Sequence, residues 1–194
     1  MATNRLELRW RRRIGGADSP NRSISITTSA AQNVSSRGEV EALLSKASGK
    51  PEVDWLDFVI DGQSLGNIFS AIGQGSTAGD LIGCLGWAAN RPYEDDLIRR
   101  LLLKEASELE TGRFLLYVCP ECGDVGCGAV TATIDETPEA IVWKDFGHEV
   151  NYAFEDEPYF RLEGYEHIGP FRFNKGQYRE TLVRSAWPNK EPAL

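Results

Sequence analysis

The stretch YVCPECGDVGCGAV (117–130) puts three cysteines and three glycines between two apolar runs. It constrains the fold more than any other part of the chain. A strand enters, a glycine-rich loop reverses it, and a second strand leaves, so a hairpin is expected here. CPECG has the form of a metal knuckle. Pro120 shapes the turn and Gly123 permits a left-handed bend, so that local amides bond the first thiolate while two sulfurs reach one tetrahedral ion. Cys119 and Cys122 form the knuckle, and Cys127 offers a third ligand. A fourth ligand would come from Cys84, His148, His167, an acid such as Asp124, or solvent. One structural zinc is the only cofactor this loop suggests. Reduced thiols in a tight hairpin loop, without a metal, are a reading of at least equal weight. A Cys119–Cys127 disulfide conflicts with a cytoplasmic setting. A redox pair wants a helix N-terminus, which Gly123, Gly126 and Gly128 do not build.

The surrounding patterns give an α+β order with a mostly antiparallel sheet, a Cys-rich hairpin loop and three to four flanking helices. One α+β domain over 1–194 is expected, with an N-terminal hairpin at 5–27 and a C-terminal sheet with the cysteine knuckle at 113–175. In RLELRW, Leu6, Leu8 and Trp10 share one face of a strand. Arg11-Arg12-Arg13 falls at the hairpin tip as a solvated charge run, and residues 23–27 alternate again. Ser36 and Glu39 form a capping box for a short helix. Residues 53–60 read as a strand, Asp61-Gly62 as a turn, and Ser64 as the cap of a helix reaching Ile72. GQGSTAG (73–79) has the spacing of a dinucleotide loop but follows a helix, so it reads as a connector. The strongest helix signal runs from Pro92 to Glu110, with Gly112 as its C-terminal stop. Strands are expected at 114–118, 129–134, 140–143 and 171–173. A short helix follows around Tyr178 and Leu182.

Charge narrows the partners. Of 194 residues, 21 are basic and 29 acidic. Nine basic residues face four acidic ones in 1–50, leaving twelve against twenty-five in 51–194. Nucleic-acid affinity comes largely from neutralising phosphates, so an acidic body argues against such a partner and for a basic protein surface. No apolar run reaches the roughly 20 residues of a membrane span. The N-terminus lacks the apolar core of a secretory signal, so the cytoplasm is the expected compartment.

No GxSxG, HExxH or P-loop is present, and the two histidines carry no catalytic cue. Hence no catalytic residues are assigned and a non-enzymatic role is expected. The candidate partner surface is 149–166, where acids alternate with aromatics: Glu155, Asp156, Glu157, Tyr159, Phe160, Glu163 and Tyr165; the alternative, of at least equal weight, is an irregular surface loop whose aromatics pack on the sheet. Rings supply contact area at low entropic cost, and carboxylates steer a basic partner.

The runs LYVCPECGDVGCGAVT (116–131), VWKDFG (142–147) and GPFRFNKGQY (169–178) together resemble a group of uncharacterised bacterial proteins from actinobacteria and proteobacteria. DFVIDGQSL (57–65) and DLIGCLGW (80–87) resemble it more weakly. The resemblance covers about the C-terminal 40% of the chain and implies membership without an activity. The label oxidoreductase is sometimes attached to that group, and no cofactor loop here supports it. In size, acidity and lack of a catalytic set the chain also looks like immunity proteins of interbacterial toxins. That likeness implies a cognate toxin as the basic partner. The alternative expectation is a thiol- or zinc-dependent enzyme using the CPECGDVGC loop.

Overall fold

The computed structural model describes residues 2–13, 53–72, 81–87, 91–150, 159–162 and 164–186. The chain divides into two compact units, 1–11 with 54–194 and 12–53. Of the second, only residues 12, 13 and 53 are described. The expected strand at 23–27, the capping box at Ser36 and Glu39 and the connector 73–79 lie outside the described residues.

The fold is α+β and mostly antiparallel, as expected. Strands β1 (Leu6–Arg13), β2 (Val53–Ile60) and β3 (Gln63–Ser64) form one sheet in that order. Arg11–Arg13 are the last residues of β1, and the rest of the expected hairpin lies outside the described residues. Of the face expected to be apolar, Leu6 is buried but Trp10 is exposed. In β2 every residue except Asp54 is buried, because both faces of the strand are covered. The two-residue turn into β3 has positive φ at both Asp61 and Gly62, the geometry that matches the twist of a hairpin. Ser64 then caps α1 (Leu65–Ile72), its Oγ accepting the Asn67 N–H at 3.0 Å.

The larger sheet has six strands: β4 (Ile82–Gly83), β5 (Phe114–Val118), β6 (Ala129–Glu136), β7 (Ala140–Val150), β8 (Tyr159–Arg161) and β9 (Phe171–Asn174). They run in the order β4-β5-β6-β7, with β8 and β9 both pairing β7. Strand β7 is far longer than the expected 140–143. It passes a left-handed Asp145 (φ 51°) opposite a register shift in β6, which hides its alternation in the sequence. His148 and Glu149 therefore lie within β7, in its last three residues.

Helix α2 (Arg91–Leu101) stops well before the expected Glu110. Leu103 takes a left-handed conformation (φ 57°), the Leu103 N–H bonds Arg100 O, and the Lys104 N–H bonds Arg99 O. This is the helix-ending arrangement that glycine usually supplies. Gly112 instead serves a turn ahead of β5, where its N–H donates to Leu109 O. Helix α3 (Lys175–Ala186) is capped by Asn174 Oδ1, which accepts from Gly176 and Gln177 N–H.

Aromatic rings tie these elements together. Tyr117 of β5 meets Trp55, Phe58 and Phe69 at 6.0, 5.8 and 5.3 Å. Trp143 meets Phe58, Phe173 and Tyr178 edge-on. Each such side chain contributes roughly 1.5–3 kcal/mol on burial. Tyr178 also accepts from Trp143 Nε1 and donates to Leu101 O, joining β7, α3 and the end of α2. Close approach between the sheets fixes Gly83, where a Cβ would fall 2.1 Å from Leu56 O. None of the described helices is long and apolar enough to cross a membrane.

Candidate metal centre

The ladder of β5 and β6 ends on the pair Val118 and Ala129, which fixes both ends of the cysteine loop. Cys119 leaves β5 directly, and Gly128 leads directly into β6. Inside the loop, the Gly123 N–H donates to Cys119 O at 2.8 Å, with Gly123 left-handed at φ 68°. Asp124 then caps a single 3-10 turn (Val125–Cys127), its carboxylate accepting the Gly126 N–H at 2.9 Å. Gly128 sits at φ 99°, and a Cβ there would lie 2.5 Å from His148 Nε2. Only glycine lets the turn rest on β7 this closely.

These constraints bring the Sγ atoms of Cys119, Cys122 and Cys127 within 4.8 Å of one another. Zn–S bonds of about 2.3 Å in a tetrahedron separate sulfurs by about 3.8 Å, so the three need close by no more than about 1 Å. The three residues expected to ligate are the three that the fold gathers, and they could hold a metal ion. Cys119 is half-buried, while Cys122 and Cys127 are exposed. The Cys122 thiol is pushed up to about 12, first by desolvation and then by the neighbouring Cys127 and Cys119 thiols. A redox nucleophile needs the opposite shift. Cys84 stands apart: it is fully buried, its thiol donates to Leu115 O, and burial raises its pKa strongly.

Two buried polar networks were not visible in the sequence. Asp57, 1% exposed, accepts from the Tyr117 and Ser64 hydroxyls, each at 2.6 Å, and pairs with the Arg11 guanidinium at 3.2 Å. Arg11 also bonds Ser64 and Asn67 and lies 5.8 Å from the centre of the Trp55 ring. Burial first, and then the charge of Asp57, raises the Tyr117 pKa well above its ordinary value and keeps the hydroxyl a donor. The second network centres on Glu149, 2% exposed, which accepts from Thr111 Oγ1 at 2.9 Å and Thr131 Oγ1 at 3.1 Å. Arg113 lies beside it at 3.9 Å and donates to Thr131, Thr133 and the Asp145 carbonyl. The partners of Asp57 stand up to 60 residues away, so no local motif marks them.

The expected partner surface is only partly described. Glu155, Asp156, Glu157 and Glu163 lie outside the described residues. Tyr159 opens β8 opposite Val150. Phe160 is half-buried, with the Arg113 guanidinium 3.8 Å from its ring centre, so it covers the second network. Tyr165 is a correction: it is buried and packs against Phe69 at 5.7 Å, because the turn before β9 folds it inward onto α1. Leu162 and Glu166 are exposed around it. Comparison with protein-family models, curated proteins and solved structures finds no match to this chain.

Proposed function

We propose that this is a non-enzymatic binding protein in which one structural zinc ion braces the β5–β6 turn. Its acidic body takes a basic protein partner, as an immunity protein takes its toxin. The reading rests above all on three thiols converging within 4.8 Å at the end of a well-packed hairpin. Zinc suits such a set, because thiolates are among its usual ligands and tetrahedral geometry fits a tight loop. The buried Asp57, Arg113 and Glu149 direct their polar atoms into internal bonds, which fits a structural role for them. The excess of acids in 51–194 supports the choice of a basic partner.

The test is co-purification of the tagged chain from its native host. One stoichiometric basic protein should come with it, arrest growth when expressed alone, and be silenced by this chain. Glu157→Ala and Tyr159→Ala should each weaken that complex. A chain that protects nothing, or whose complex ignores both substitutions, would contradict the partner half of the reading.

A further inference from the structure

The sequence contains four cysteines and two histidines, and all six lie among the described residues. The whole supply of thiol and imidazole donors can therefore be placed. Three sulfurs gather, and no other cysteine or histidine atom joins the group. Cys84 is engaged in the core with Leu115 O. His167 is exposed in the turn before Gly169, and His148 Nε2 packs on Gly128. Asp124, two residues after Cys122, has its carboxylate turned onto the Gly126 N–H, and Glu121, next to Cys122, is exposed. Cys122 and Cys127 are exposed residues, so the loop that carries the sulfurs lies at the surface.

Building on the zinc reading, we infer that the site is a three-thiolate centre whose fourth coordination position takes a neutral donor from outside the chain. Water fills it at rest, and an imidazole exchanges with that water. A divalent ion on three thiolates carries a net charge of −1, with the acids Glu121 and Asp124 in the same loop. A fourth thiolate or carboxylate would raise that to −2 in a region already rich in acids, whereas water or imidazole adds nothing. Zinc accepts imidazole nitrogen at about 2.0–2.1 Å as readily as it accepts sulfur. Closed four-ligand sites are structural, and sites with three protein ligands keep a position for exchange. An exposed histidine on a protein partner would supply this donor, so the metal becomes a docking point as well as a brace.

Cobalt(II) is the probe, because its visible absorption reports the number and type of ligands. The reduced full-length protein is loaded with cobalt and titrated with imidazole. The expected result is a saturable shift of the visible bands with the sulfur-to-metal charge-transfer intensity retained. His148→Gln and His167→Gln should start from the same spectrum and respond in the same way. Bound cobalt whose bands ignore imidazole would mean that the chain closes its own site, overturning this inference while leaving the metal reading intact. A changed starting spectrum in either histidine variant would reveal an internal imidazole, with the same consequence. Failure to take up cobalt at all would overturn both readings.

Discussion

The Arg113–Glu149 network and the cysteine loop lie one strand-end apart, and they treat polar atoms in opposite ways. Glu149 is paired with Ala129, the first residue after the loop, yet its carboxylate is buried and bonded to two threonines. The thiols stand at the same end of the sheet, half-buried or exposed, with their sulfurs turned toward one another. Removing a partner from the first cluster strands a charge where water cannot reach it. Losing a thiol from the second uncovers little. On this contrast, loss of a network residue should cost stability, and loss of a thiol should cost the proposed metal.

That contrast breaks most visibly at Glu149. Glu149→Ala leaves the Arg113 guanidinium buried without its carboxylate, a loss of about 3–5 kcal/mol. Chemical denaturation should show it, and an effect below about 1 kcal/mol would mean that the network is ornamental. Zinc comes next. At a hundredfold excess over its dissociation constant, a metal that binds only the folded chain adds about 2.7 kcal/mol. A chelator should remove that increment, and Cys122→Ser should resemble the chelated protein within about 0.5 kcal/mol.

Tyr178→Phe tests the fold side on a smaller scale. It deletes the hydroxyl between Trp143 Nε1 and Leu101 O, at a cost of about 1–3 kcal/mol, and should leave metal uptake unchanged. The smallest effect is at Asp61, whose pKa lies below its ordinary 3.8 because the Arg5 N–H, and then the Asn4 amide, bond its carboxylate. A depressed folded pKa contributes stability above pH 3.8 that is lost as pH falls through the folded value. Asp61→Asn should therefore be slightly less stable than the parent at neutral pH, with the gap closing in acid. A gap that widens in acid would contradict the assignment.

How much of this could be read in advance follows from how local each determinant is. The cysteine loop and the Ser64 cap were legible because their partners stand within eight residues. Strand β2 was legible because an apolar run with both faces covered has few other uses. Helix α2 misled because its stop is a left-handed leucine, Leu103, where glycine is the usual signal. Strand β7 was underestimated because Asp145 breaks its alternation. Asp57 and Glu149 looked like ordinary acids. Only tertiary folding brings Tyr117 to the first and Thr111 and Thr131 to the second.

Zinc stoichiometry of the full-length protein, purified reduced and without added metal, is the most direct test of the loop's role. Elemental analysis should find one zinc per chain, lost in Cys119→Ser and retained in Cys84→Ser. A protein that carries no zinc and takes up none, or one whose zinc survives loss of Cys119, would contradict the assignment of the three thiols as the metal site.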